Sequence, residues 1–174
     1  MLPKKFTLSD DSSMTVWSML EFDERVRTLI HRLKYQGMYE TAPLLADLLY
    51  FASYIPPVDM IVPIPLHRSR KKARGYNQSE LIAMRLAHHL QIPVIPAVLR
   101  VVASAQQAKT SSRDERLHNL AGHFVLAPEY QASLQGKHIL LLDDVLTTGA
   151  TLTACAEVLQ RAAPKEISGL TVAH

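Results

Sequence analysis

The chain reads ILLLDDVLTTGAT over residues 139–151. Four consecutive apolar residues followed by a polar turn are typical of a strand buried on both faces of a parallel sheet. Beyond the turn, Leu152, Ala156 and Leu159 recur at helical spacing, which predicts that a helix follows directly. This stretch is therefore predicted to form a strand, a short loop and the amino terminus of a helix.

The loop within this stretch has the chemistry of a phosphate site. The first amides of a helix lack internal partners and lie at the positive end of its dipole, so an anion can accept hydrogen bonds from them. A glycine permits close backbone approach, and threonines add hydroxyl donors. The residues predicted to bind the phosphate are Thr147, Thr148, Gly149, Ala150 and Thr151.

Two carboxylates, Asp143 and Asp144, follow the apolar quartet. Adjacent carboxylates suit sugar hydroxyls, which donate to them, or a hydrated divalent cation. The alternative is an acidic strand end followed by a threonine-capped helix. We favour a sugar phosphate site, because the apolar, acidic and hydroxyl segments occur together and in this order.

The pattern resembles the 5-phosphoribosyl-1-pyrophosphate (PRPP) motif of the type I phosphoribosyltransferases at every position. This resemblance implies that Asp143 and Asp144 are catalytic residues that hold the ribose 2- and 3-hydroxyls, and that Thr147 through Thr151 bind the 5-phosphate. Mg²⁺ is expected to arrive with PRPP, and no residue is assigned to it directly. The 6-oxopurine enzymes carry an acid where Thr147 stands, and a threonine does not ionise near neutral pH. Salvage of hypoxanthine or guanine is therefore not expected.

A second strand, loop and helix are predicted earlier in the chain, with a strongly cationic loop after the strand at residues 60–65. Arginine presents a planar fork to the oxygens of a pyrophosphate, which makes that group the favoured ligand. Single-stranded nucleic acid is the alternative, with Tyr76 as a stacking surface. The residues predicted to bind pyrophosphate are Arg68, Lys71, Lys72 and Arg74.

Two further polar features are the long segment at residues 104–119 and Lys34. Residues 104–119 are predicted to form an active-site lid, a disordered insert or an ordinary exposed loop. A lid would direct cations inward, and the candidates are Lys109, Arg113 and Arg116. Lys34, at the end of a predicted helix, is interpreted as a solvated lysine that complements the helix dipole.

Alternating strands and helices predict an α/β fold with a mostly parallel sheet and helices on both faces. The expected architecture is a single type I phosphoribosyltransferase-like (Rossmann-like) domain over residues 21–174. Residues 1–20 are predicted to be an N-terminal lead, of which the first dozen form a mobile segment or an edge strand. The cationic and acidic loops should share one crevice, since both follow the carboxyl ends of strands.

Composition indicates which metal sites and which location to expect for this protein. The 174 residues carry a formal net charge of +3 and one cysteine, Cys155. A lone thiol excludes a cysteine-based zinc cluster, so no zinc is expected, and its helical spacing predicts a core position. No apolar run approaches the ~20 residues needed to cross a bilayer, so no membrane association and a cytoplasmic location are expected.

Several segments together resemble one family, the ComF/GntX proteins. They read LKYQG over residues 33–37, VPIPL over 62–66, RGYNQSEL over 74–81 and RLHNL over 116–120, ahead of the acid-pair loop. The resemblance implies a link to natural competence, with single-stranded DNA or a DNA-uptake protein as a partner. Many members begin with a four-cysteine zinc ribbon, which is absent here.

The leading hypothesis is a PRPP-binding phosphoribosyltransferase of the ComF/GntX type. It would transfer ribose 5-phosphate to an unidentified acceptor and release pyrophosphate. The alternative is a non-catalytic competence protein that binds PRPP or single-stranded DNA, and a regulatory PRPP sensor lies between the two. The sequence specifies neither the acceptor nor the oligomeric state.

Overall fold

The computed structural model describes residues 3–35, 37–102, 120 and 122–174. Its strands are β1 (Lys4–Thr7), β2 (Ser13–Leu20), β3 (Met60–Pro63), β4 (Val98–Arg100), β5 (Phe124–Leu126), β6 (His138–Val145) and β7 (Glu166–Ala173). Its helices are α1 (Glu24–Tyr35), α2 (Thr41–Ala52), α3 (Arg68–Arg74), α4 (Gln78–Leu90), α5 (Gln131–Leu134) and α6 (Ala150–Gln160), with a 3-10 turn at Pro128–Tyr130.

The main sheet has five strands in the order β1-β2-β7-β6-β3. Strand β6 pairs in parallel with β3 on one side and β7 on the other, and β2 runs parallel to β7. Within the described part of the chain, the edge strand β1 is the one antiparallel member of this sheet. Strands β4 and β5 form a separate antiparallel pair. The predicted mostly parallel α/β sheet is confirmed.

Strand β6 is buried on both faces, as its apolar quartet predicts. Ile139 and Leu141 lie in one hydrophobic core with α6, whereas Leu140 and Leu142 lie in a second core with α2 and α4. Cys155 of α6 is fully buried in the first of these cores, as predicted. Helices therefore cover both faces of the sheet. Within the described residues, no helix is long and apolar enough to span a membrane.

Strands β1 and β2 belong to the main sheet, whereas an N-terminal lead was predicted over residues 1–20. Residues 4–7 and 13–20 supply two strands of the main sheet, with β1 at its edge. Phe6, Met14 and Val16 are buried in the core that contains α6. The physical reason is an alternation of period two in β2, which directs Met14 and Val16 inward and leaves their neighbours less buried. The edge-strand alternative holds for β1.

The cationic segment is a helix, α3, where a loop was predicted. Nδ1 of His67 accepts a hydrogen bond from the Ser69 amide at 3.2 Å and caps its start. Gly75, at φ +87°, ends the helix in the left-handed conformation. Arginine and lysine favour helix when both ends are capped in this way, which explains the difference.

Candidate active site

The acid pair lies near the carboxyl end of the central strand, β6. Oδ1 of Asp143 accepts hydrogen bonds from Ser79 Oγ at 3.1 Å and from the Asp144 amide at 2.9 Å. Ser79 is buried in the first turn of α4, which Asn77 caps by accepting from the Ser79 amide at 3.2 Å. The start of α4 therefore orients Asp143.

Asp144 faces the end of helix α1. Its Oδ2 lies 2.6 Å from Nζ of Lys34, and the two side chains are 5% and 24% exposed. Oδ2 has no well-directed hydrogen bond in addition to this ion pair within the described part of the chain. The interpretation of Lys34 as a solvated lysine is therefore wrong, because α1 ends beside the acid pair. A lysine at a helix end carries no local sequence signal for such a contact.

Two adjacent carboxylates, the half-buried Asp143 and the buried Asp144, perturb each other. Burial and the neighbouring charge of Asp144 raise the pKa of Asp143 to about 7, whereas Lys34 and the hydrogen bonds from the Asp144 amide and Ser79 oppose the shift. The Asp143 side chain can therefore change protonation near neutral pH. In its protonated form it can both donate and accept hydrogen bonds.

The loop after β6 leads directly into the amino terminus of α6. Gly149 adopts φ +80° immediately before α6 begins at Ala150. The Ala150 amide has only a long contact to Thr148 Oγ1, at 3.4 Å. Within the described residues, the Thr147, Thr148 and Gly149 amides have no hydrogen-bond acceptor. These amides are free to bind an anion.

Phe6 of the edge strand β1 packs against one side of this loop. A Cβ at residue 149 would lie 2.2 Å from Cε1 of Phe6, so the ring packs directly on the glycine. Phe6 is buried, and it belongs to the segment that the sequence analysis treated as a lead. Thr147 is exposed, and Thr148 and Thr151 are half-buried, which leaves their hydroxyls near the loop surface.

The predicted pyrophosphate residues divide into two groups. Arg68 and Lys71 line a cavity of about 540 Å³ between α3, β4 and the loop after β3. Lys71 also pairs with Glu80 at 2.9 Å. Arg74 turns away, with its guanidinium 5.1 Å from the centre of the Tyr35 ring. The exposed Lys72 does not line this cavity.

Arg100, at the end of β4, is a cavity residue that sequence reasoning missed. It lines the same cavity as Arg68 and Lys71. Burial and the nearby charge of Arg70 lower its pKa, while the charge of Asp143 raises it. Asp143 is thus near enough to Arg100 to affect its pKa, although neither aspartate is among the residues that line the cavity. Arg100 lies far in the sequence from both the cationic segment and the acid-pair loop. No local pattern therefore indicated that it would line this cavity.

These features can be compared with known proteins. A family model for the phosphoribosyl transferase domain matches residues 77–173, more than half of the chain. The chain belongs to the phosphoribosyltransferase family. The matched range contains the acid pair, the loop at Gly149, Ser79 and Arg100. The phosphoribosyltransferase match excludes α3 and Lys34, which precede it.

This phosphoribosyltransferase-family chain is also similar to curated proteins of competence and DNA utilization. It is 31% identical over 151 residues to the Competence protein F of Haemophilus influenzae, covering 83% of this chain and 66% of that protein. It is 35% identical over 152 residues to the DNA utilization protein YhgH of Salmonella typhi, covering 83% and 65%. The chain thus spans about two thirds of the length of these relatives.

The phosphoribosyltransferase fold is also found in solved structures. A glutamine PRPP amidotransferase from Bacillus subtilis matches with a TM-score of 0.53 at 16% identity, covering 76% of this chain and 26% of that one. At this identity the likeness shows the fold alone. It agrees with the type I architecture that the sequence predicts.

The geometry of this phosphoribosyltransferase-family chain tests neither the predicted lid nor the predicted Mg²⁺ ion. The lid candidates Lys109, Arg113 and Arg116 lie outside the described residues. Within the described residues, no group of three or more His, Cys, Asp or Glu side chains could hold a metal ion. A Mg²⁺ ion at the acid pair would therefore need ligand oxygens to complete its coordination.

Proposed function

We propose that this protein binds PRPP and transfers its ribose 5-phosphate to an acceptor nucleophile, releasing pyrophosphate. The observation that carries the proposal is the shared end of β6. There, a pair of carboxylates lies next to a loop whose Gly149 starts a helix and whose amides have no acceptor within the described residues. Hydroxyls and a phosphate on one sugar match this arrangement.

The carboxylates would bind the sugar. Ribose hydroxyls donate hydrogen bonds to carboxylate oxygens, and Ser79 holds Asp143 in a fixed orientation at 3.1 Å. Negative charge beside the ring would also favour the positive charge that develops on the sugar as the leaving group departs. The 5-phosphate would accept from the amides of Thr147, Thr148 and Gly149 and from the threonine hydroxyls.

The cavity beside α3 would bind the pyrophosphate. Arg68, Lys71 and Arg100 line it, and so does Glu80, which lies 2.9 Å from Nζ of Lys71, so the pyrophosphate would share that ammonium with Glu80. We assign the pyrophosphate to these three cations in preference to Lys72 and Arg74. Mg²⁺ bound with PRPP would neutralise the charge of the pyrophosphate, with Asp143 and Asp144 as the carboxylates that face it.

The reaction balances without an oxidant or reductant. A lone pair on the acceptor forms a bond to C1 of the ribose, and the pair of the breaking C1–O bond leaves with the pyrophosphate. A proton on the acceptor passes to solvent or to a basic group of the ligand.

Isothermal titration with PRPP and Mg²⁺ tests the binding step. The parent protein should bind, and the double variant Asp143→Ala/Asp144→Ala should lose most of its affinity. Asp59→Asn is the matched control. Asp59 lies at the opposite, amino-terminal end of β3, where it accepts from the His138 amide at 2.7 Å, and asparagine can still accept there. Unchanged affinity in the double variant would refute the assignment. A screen of acceptors for pyrophosphate release then tests transfer.

Binding of single-stranded DNA is the second candidate, and one surface favours it. Arg68, Arg70, Lys71 and Lys72 are all exposed on the short helix α3. Backbone phosphates bind such cations with an affinity that falls steeply with salt. The names of the relatives refer to competence and to DNA utilization.

Gel-shift titrations at two salt concentrations, with and without PRPP, separate the two functions. Competition by PRPP would place both ligands on one surface, because Arg68 and Lys71 belong to both proposed sites. The absence of any shift at low salt would remove the second candidate. Arg70→Gln/Lys72→Gln should weaken DNA binding and leave PRPP binding intact.

A further inference from the structure

Helix α2 is apolar on both its inner and its outer face. Four residues of its inner face lie in the hydrophobic core that also contains residues of α4, namely Ala42, Leu45, Ala46 and Leu49. The outer face carries Leu44, Leu48 and Phe51 at the spacing of one helical stripe, and all three side chains are exposed. A helix that is apolar all round is typical of a buried position. The outer face of α2 therefore has the composition of a covered surface.

Two further aromatic side chains extend this stripe. The Tyr50 ring stacks on that of His89 in α4 at 4.6 Å and meets the Phe51 ring edge-on at 5.1 Å. Tyr54, just beyond the end of α2, lies with its ring 5.6 Å from that of Trp17 in β2. The α2 face is defined here by five exposed side chains: Leu44, Leu48, Tyr50, Phe51 and Tyr54. Contacts with α4 and β2 hold its rings in place, so the surface is formed before any partner binds.

The area of the α2 face matches one half of a standard protein interface. Its side chains are between 38% and 78% exposed. Since a side chain of this size presents about 150–250 Å² when fully exposed, the face offers roughly 500 Å² of apolar surface. A standard interface buries about 800 Å² on each partner, of which about 60% is apolar. The α2 face therefore has the apolar area that a stable dimer needs.

The charges at the edge of the α2 face are paired within the chain. Asp47 is the single charged residue of α2, and it accepts hydrogen bonds from Nε of Arg85 at 2.8 Å and from Nε2 of His89 at 2.7 Å. These hydrogen bonds, from Arg85 first and then His89, lower the pKa of Asp47 to about 2, so its carboxylate is ionised near neutral pH. An acid beside a cation is complementary to a second copy of the same edge, whereas it does not select a partner of one sign of charge. The charge pattern thus favours a copy of this chain over a strongly acidic or basic partner.

The spacing of the stripe suits a two-fold axis. Leu44 lies four residues before Leu48, and Phe51 lies three residues after it. When two α2 helices cross antiparallel at Leu48, Leu44 of each copy meets Phe51 of the other. We propose that the α2 face is the interface of a homodimer, in which a second copy of this chain covers α2. This inference goes beyond the proposed function and does not depend on PRPP binding.

Size-exclusion chromatography with light scattering tests the inference on the purified chain, over a range of concentrations and at high salt. High salt prevents nucleic acid on the cationic helix α3 from bridging two copies. The expected mass is twice the 19.5 kDa of one chain. Leu48→Glu should give the mass of one chain, because the two-fold axis places two carboxylates in an apolar interface. We expect this change to raise the dimer Kd by about a hundredfold or more.

Leu99→Glu is the matched control for Leu48→Glu. Leu99 is 45% exposed and Leu48 is 42% exposed. Leu99 lies on β4, whose Val98 belongs to the core on the other side of the main sheet from α2. Leu99→Glu should therefore keep the mass of the parent. Thermal unfolding checks that both variants are folded.

Cross-linking tests the same interface without placing a charge in it, and it decides the case in which Leu48→Glu does not fold. The one cysteine of the chain, Cys155, is fully buried. Leu48→Cys therefore adds a single accessible thiol close to the proposed two-fold axis. A short bismaleimide should join two copies of Leu48→Cys, and it should leave Leu99→Cys as single chains on a denaturing gel.

Three results would overturn the inference. The first is a parent with the mass of one chain at every concentration, because the α2 face would then be left open or be covered by a different partner. The second is a folded Leu48→Glu variant that keeps the mass of two chains. The third is cross-linking of Leu48→Cys that is no greater than that of Leu99→Cys. Failure to bind PRPP would count against the proposed function and would leave these three measurements unaffected.

Discussion

The ring of Phe6 lies where a side chain on Gly149 would begin, since a Cβ there would be 2.2 Å from Phe6 Cε1. Strand β1 therefore packs against the loop proposed to bind the 5-phosphate. Gly149 is required for two separate reasons, which are its φ of +80° and this contact. The amino-terminal strand and the predicted phosphate loop are parts of one structural unit.

Gly149→Ala should destabilise the protein and weaken PRPP binding. The left-handed conformation alone costs a non-glycine residue about 1–2 kcal/mol, and displacement of the ring adds to that. Urea unfolding measures the loss of free energy, and titration measures the affinity. Gly136→Ala is the control, because Gly136 has φ +67° but a Cβ at that residue would meet nothing within 4 Å. Equal losses at both positions would contradict a role for Phe6.

Asp143→Asn should stabilise the ligand-free protein, and more so at pH 8 than at pH 5. The folded protein raises the pKa of Asp143 from 3.8 to about 7, so between these values it binds more protons than the unfolded chain. Stability from this group is therefore lost as pH rises through that range. The gain at pH 8 over pH 5 should be about 1–2 kcal/mol, below the full value of the shift because Asp143 is partly exposed.

Thermal unfolding of the parent and of Asp143→Asn at the two pH values measures this effect. An equal change at both pH values would show that ionisation of Asp143 does not oppose folding. The same variant should bind PRPP less tightly at pH 8, because an amide cannot replace a charged carboxylate toward sugar hydroxyls and Mg²⁺.

Arg100→Met should weaken PRPP binding more than Lys72→Met does. Arg100 lines the cavity with Arg68 and Lys71, whereas Lys72 does not. Loss of one charge-assisted contact should raise Kd by roughly tenfold or more. Isothermal titration of the two variants measures the difference, and both remove a single positive charge. A larger effect at Lys72 would indicate that the pyrophosphate binds on the exposed face of α3 and not in the cavity.

Gly169→Ala should destabilise the protein through a contact between β7 and β2. A Cβ at residue 169 would lie 2.8 Å from Cγ2 of Val16, and overpacking of this kind costs about 1–3 kcal/mol. Urea unfolding of Gly169→Ala, Val16→Ala and the double variant forms a cycle. The double variant should lose less stability than the sum of the two single changes. Strict additivity would show that β2 does not pack on β7 at this point.

The sequence alone was sufficient for the strand, loop and helix around Asp143 and Gly149. Four apolar residues, a polar turn and a helical repeat are local patterns, and their periods distinguish a buried strand from a helix. The mostly parallel sheet followed from the alternation of such units. Local reasoning was wrong at α3, where a run of cations suggested a loop although capping by His67 and Gly75 stabilises a helix.

The tertiary structure alone brought Lys34, Arg100 and Phe6 to the site. Lys34 meets a carboxylate 110 positions away in the chain, and Phe6 contacts a glycine in a loop more than 140 positions away. No local period or spacing encodes such contacts, because they arise when strand order and helix packing bring distant segments together. The sequence therefore determined which chemical groups the central loop carries. Packing of α1, β1 and β4 around that loop decided which charges and surfaces face it.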